Sequence, residues 1–161
     1  MRSPAGFLDH PGLPGPFGAL MDEYDRAAED LCATAEALPQ DLFLRQVPSP
    51  DPDLGSIQAI LLHVVRAAHG YANYIRKARD LPMAPAPQVE IPAPAALRPL
   101  LAMELRYTEG ALEGLYDAPE EVFTRLTFQV GWGPTYDPEM LLEHAIVHLL
   151  RHRRQIERWG R

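Results

Sequence analysis

Apolar positions recur at three- and four-residue steps in four separate stretches of the chain, the spacing of helices with one buried face. The first runs from about Pro16 to Leu38. Phe17, Leu20, Met21, Tyr24, Ala28, Leu31 and Ala35 make its apolar side, and Asp22, Glu23, Asp25, Glu29 and Asp30 its polar side. The second opens at Ser56, a natural N-cap, and reaches about Asp80 with Ile57, Leu61, Val64, Ala68, Tyr71 and Ile75 in one stripe. The third spans about Ala95 to Asp117, with Leu97, Leu100, Leu101, Leu105, Leu112 and Leu115 inward. The fourth covers Asp137 to Trp159. Asp137 caps it, Pro138 takes its first position, and Arg151, Arg153, Arg154 and Arg158 suit its C-terminal dipole.

Four amphipathic helices of this length predict an all-α four-helix bundle. Long proline-rich connections, 39–55 and 81–94, separate the first helix from the second and the second from the third. A plain up-down-up-down chain needs no such lengths, so the threading stays open. Ahead of the fourth helix the sequence reads as a short helix, a β-like run Thr127–Val130 and a Gly-Trp-Gly-Pro turn. Residues 1–15 read as a flexible Pro/Gly-rich arm except where Phe7 or Leu8 docks, and 16–161 as a single domain.

The net charge of −7 is carried mainly by residues 1–60, with ten acids against three arginines. That balance argues against nucleic acid or an anionic membrane as the main partner. No stretch is apolar enough to span a bilayer, and no signal-peptide pattern opens the chain, so a cytoplasmic location is expected. The one cysteine, Cys32, excludes an internal disulfide and reads as a small core residue.

Candidate chemistry lies in the histidines. His144, His148 and His152 are each four residues from the next, which sets neighbours about 6 Å apart on one helix face. Two such rings can reach one metal ion, but three on a straight helix diverge, so a further ligand must come from another helix. His63 sits midway along the second helix beside its apolar stripe, with the small residues Ala67 and Gly70 further along its row. His69, about 240° round the helix from His63, cannot share its site and reads as structural or solvent-facing. His10 reads as an exposed loop residue. The di-iron Glu-x-x-His pattern, the zincin helix, haem-attachment and phosphate-loop motifs, and a nucleophile elbow are all missing.

The segment Ser56-Ile57 with His63, together with His148-Leu-Leu-Arg-His152-Arg153-Arg154-Gln155-Ile156, resembles the DinB/YfiT-like superfamily. Its signature is a histidine midway along helix 2 and His-x-x-x-His-Arg-x-Gln near the end of helix 4. Many members carry Gly where this chain has Arg154. The resemblance covers about residues 16–159. It implies a bundle holding a divalent metal near one end, most often zinc or nickel, with iron or manganese as alternatives. The ligands it implies are His63, His148 and His152, leaving His144 to pack beside them or to replace one.

Three neutral imidazoles leave such an ion a vacant position, the arrangement of catalytic sites. Relatives in the superfamily include thiol-dependent S-transferases and a thiol-dependent isomerase. The resemblance therefore implies a thiol S-transferase-like activity, with a low-molecular-weight thiol such as bacillithiol or mycothiol and a small electrophile as partners. The alternatives are a non-catalytic metal-binding stress-response bundle and a metal-dependent hydrolase. A homodimer is a further expectation. Glu104 and Glu143 are candidates to orient a ligand histidine, Arg66 and Arg151 to meet an anionic co-substrate, and Trp132 and Tyr136 to wall the pocket.

Overall fold

The computed structural model describes residues 6–159. The expectation of a flexible arm at 1–5 and the domain end at 160–161 lie outside the described residues. The four long helices are α1 (Gly15–Glu36), α3 (Ile57–Ala78), α4 (Leu97–Leu112) and α6 (Pro138–Glu157), joined by the short helices α2 (Gln40–Leu44) and α5 (Glu120–Thr124). Strands β1 (Phe128–Gln129) and β2 (Thr135–Tyr136) form an antiparallel hairpin with Phe128 opposite Tyr136. Among the described residues no helix is long and apolar enough to cross a membrane.

Local chemistry fixes the helix ends. The Ser56 hydroxyl accepts from Ala59 N at 3.0 Å and the Asp137 carboxylate from Met140 N at 2.9 Å, each satisfying a donor that the first turn leaves over. The third long helix stops at Leu112, short of the Asp117 that its periodicity predicts. Gly114 takes φ +84°, a conformation that ends the helix and turns the chain so that Leu115 is still buried. Arg79, the C-cap of α3, then donates to the freed carbonyls of Ala111 (2.5 Å) and Glu113 (2.8 Å).

The helices follow one another round the core in the order α1, α4, α3, α6. Cross-contacts give their directions. His69 meets Glu104, Arg76 meets the Tyr107 carbonyl and Arg79 that of Ala111, so α3 and α4 run parallel. Arg98 meets Glu29 and Glu36 while Arg106 meets Asp9, so α4 runs against α1. Tyr71 lies against His144, and His63 against His148 and His152, so α3 and α6 are antiparallel.

This threading accounts for both long connections. Segment 81–94 returns the chain along a helix of about 33 Å so that α4 can start again beside the beginning of α3. It is tied on the way by Ala84 N to the Tyr107 hydroxyl (2.9 Å) and by Gln58 Nε2 to the Ile91 carbonyl (2.9 Å). Segment 39–55 crosses the end of the bundle between α1 and its diagonal neighbour α3. It is less extended than its four prolines suggest: α2 buries Phe43, and a 3₁₀ turn at Pro52–Leu54 precedes the Ser56 cap.

Ahead of α1, Phe7 and Leu8 are buried in the same core as the four helices. Backbone amides of Asp9 and His10 donate to the two oxygens of Glu109 at 2.9 and 2.8 Å, so residues 6–14 are held more firmly than their turn-rich composition suggests.

Candidate metal centre

Antiparallel packing of α3 and α6 sets His63, in the second turn of α3, opposite the last turns of α6. His148 and His152 stand one turn apart there. The Nε2 atom of His148 lies 3.1 Å from that of His63 and 3.1 Å from that of His152. The two α6 rings are buried, whereas the His63 side chain is 32% exposed, so the cluster opens on the α3 side. These three residues form a group that could hold a metal ion. A tetrahedral zinc site with bonds of about 2.0–2.1 Å sets its ligand nitrogens about 3.3 Å apart, close to the spacing here.

The outer nitrogens decide whether the group fits an ion. His152 Nδ1 donates to Gln155 Oε1 at 2.9 Å, and His63 Nδ1 faces Asp53 Oδ2 at 3.5 Å. Acceptors on that side keep the proton on Nδ1 and leave both Nε2 atoms bare. Each then aims a lone pair at His148 Nε2, which carries one proton at most and can satisfy only one of them. At least one of the two 3.1 Å nitrogen–nitrogen contacts therefore has no proton between its atoms, an arrangement that a cation relieves.

Burial, followed by the charges of His152, His63, Arg151 and His144, pushes the His148 ring down to about 3. Burial also lowers His152, partly offset by its bond to Gln155. Neutral rings are the form a metal binds.

Of the acids named from sequence, neither serves this cluster. Glu104 is buried against His69, its Oε2 3.0 Å from Nδ1, while His69 Nε2 donates to the Ala84 carbonyl at 3.0 Å. His69 is thus a buried structural residue, stacked on Tyr107 with ring centroids 4.6 Å apart. Burial pushes the Glu104 carboxyl up, and the bond to His69 opposes the shift. Glu143 is exposed. The residues that orient the rings are Asp53 and Gln155. Gln155 stood in the recognised motif without a role, and Asp53 gave no signal because only the crossing segment brings it to α3.

His144 lies outside the group of three, its ring 6.5 Å from that of His148. It supports an aromatic wall instead: Trp132 stacks on it at 4.5 Å, and Tyr71 and Tyr136 meet both rings at angles. Arg66 and Arg151 are exposed. Only Arg151 acts electrostatically on His144, His148, His152 and Tyr71.

Cys32 is fully buried in α1, and burial pushes its thiol up to about 12 despite the opposing charge of Arg98. Alkylation followed by mass spectrometry at pH 8 should leave Cys32 unmodified in the native protein and label it fully in urea. Stoichiometric labelling of the native protein within minutes would contradict its burial.

Fold and site together define an all-helical protein whose two facing helices bring three histidines to one point. The family model of the DinB superfamily matches residues 14–156, and the chain belongs to that superfamily. No curated protein and no solved structure matches it significantly.

Proposed function

We propose that His63, His148 and His152 hold a divalent metal ion and that the protein is a metal-dependent enzyme of the thiol S-transferase kind. The observation that carries this reading is the convergence of three Nε2 atoms, with Gln155 accepting from the outer nitrogen of His152 and Asp53 facing that of His63. Bound by three neutral imidazoles, a divalent ion keeps its full charge and supplies Lewis-acid activation of a thiol at neutral pH.

The chain's own residues do the rest. Asp53 and Gln155 fix ring orientation, which raises the basicity of the Nε2 atoms. Tyr71 packs against both His148 and His144, at 5.6 and 5.4 Å, and so backs the cluster with an aromatic ring. Arg151 supplies positive potential that favours an anionic co-substrate. Because Cys32 is buried in α1, a thiol nucleophile has to arrive with the co-substrate, which supports a thiol-dependent transfer over a mechanism with a protein thiol. Zinc and nickel both suit this donor set, and a homodimer is the assembly we propose.

The test pairs metal analysis of protein purified without a tag with rates of loss of a small electrophile, measured with bacillithiol, with mycothiol and with no thiol. One equivalent of metal and thiol-dependent turnover that a chelator removes is the expected result. Bound metal with thiol-independent hydrolysis would replace the transferase by a hydrolase. Bound metal with no turnover would leave a metal-binding stress-response bundle.

A further inference from the structure

Helix α6 packs on α1 and α3, with α5 and β2 also against it, and turns its remaining side to solvent. At the middle of that side Val147 stands 59% exposed, more than any other large apolar side chain among the described residues. Helix spacing puts Met140, Glu143, Arg151 and Arg154 on the same outward ridge, within about 40° of Val147. All four are exposed.

An exposed apolar residue alone is ordinary, and here the charges round it point to an occupant. The ridge is acidic ahead of Val147, at Glu139 and Glu143, and basic after it, at Arg151, Arg154 and Arg158. Glu143 and Arg151 lie four residues either side of Val147, and neither makes an ion pair among the described residues. A two-fold axis beside Val147 sets two copies of α6 antiparallel, with residues at equal distances before and after Val147 opposite one another. Val147 then meets Val147, and Glu143 of each copy faces Arg151 of the other. The same symmetry sets His144 against the half-buried Leu150, and the exposed Trp132 indole, stacked on His144 at 4.5 Å, widens the contact there. A parallel arrangement would instead set Glu143 on Glu143 and Arg151 on Arg151, with the helix dipoles aligned. The face is complementary to itself in one orientation only.

We propose that this ridge is the docking surface for a second copy of the chain, a two-fold contact of α6 on α6 centred on Val147 and latched by Glu143 and Arg151. It gives the homodimer proposed above its face, and it rests on that reading and not on the metal. A guanidinium has five N–H donors, so pairing with one carboxylate leaves Arg151 donors for an anionic co-substrate.

Sedimentation of the full chain over micromolar concentrations, at low and high salt, tests it. The wild type should dimerise, more weakly as salt rises. Glu143→Arg and Arg151→Glu should each weaken the dimer about tenfold or more, because each sets like charges against one another on both sides of the axis. Mixed in equal amounts, the two variants should pair with each other, since every charged contact between them is again of opposite sign. A variant carrying both substitutions should dimerise as the wild type does. Those two recoveries also exclude a folding defect as the cause of the losses. Single variants as dimeric as the wild type would put the homodimer on another face and overturn this proposal alone. Single variants that are monomeric, yet neither pair when mixed nor recover when combined, would overturn the two-fold contact. A wild type monomeric throughout would overturn the homodimer as well.

Discussion

His148→Ala should abolish metal binding outright, because this is the ring that both other Nε2 atoms approach, at 3.1 Å each. Without it His63 and His152 still face each other with ring centroids 5.3 Å apart, but two imidazoles from separate helices are one ligand short of the three that such a site needs. In the wild type, metal at about 100 times its dissociation constant contributes roughly 2.7 kcal/mol. For a domain of this size that amounts to a Tm about 8 °C higher than in chelator. The chelator should move the Tm of His148→Ala by nothing measurable. Comparing each protein with and without chelator cancels the cavity that the missing ring leaves. His144→Ala should keep the metal and the chelator shift, since that ring lies outside the group. Asp53→Asn should keep the metal but weaken it about 10–100-fold, as loss of a partner to a ligand's outer nitrogen does. Equal chelator shifts in wild type and His148→Ala would defeat the metal centre.

How far the sequence carried this site depends on which contacts are local. The caps at Ser56 and Asp137, the four apolar stripes and the i, i+4 pair His148/His152 are set by neighbours a turn away, so spacing alone exposes them. His63 is a step harder, because its meeting with α6 depends on packing; the resemblance to DinB/YfiT-like sequences placed it where helix periodicity had left it open. Asp53 is harder still. Its role exists only because 39–55 crosses the bundle end, and a run of prolines signals a long connection without saying where it goes. The parallel pairing of α3 with α4 was hidden for the same reason. Periodicity carries the third helix past its end because Leu115 keeps the apolar period across Gly114, where the backbone turns. Glu104 is ambiguous for the same reason: from sequence any buried acid facing α3 can serve either ring, and only the relative shift of α3 and α4 matches it to His69.

That match makes Glu104 the centre of the second large effect. Its carboxylate is 1% exposed and pairs with a histidine 5% exposed, whose other nitrogen is committed to the Ala84 carbonyl. The same small network holds the return segment. The Tyr107 hydroxyl donates to Asn73 Oδ1 at 2.5 Å and accepts from Ala84 N, and Arg76 lies over the Tyr107 ring at 3.9 Å. Glu104→Ala leaves His69 buried with an unanswered Nδ1, and removing one partner of a buried pair costs about 3–5 kcal/mol. The Tm should fall by about 10 °C. Glu104→Ala combined with His69→Leu should recover part of that loss, because no polar group is then left buried without a partner and only the missing side-chain volume remains as a cost. Metal content should be untouched in all three proteins, since neither residue contacts the cluster. A loss of metal in Glu104→Ala with little change in Tm would instead tie this acid to the histidines of the site, and the division between a structural pair at Glu104 and an orienting pair at Asp53 and Gln155 would fall.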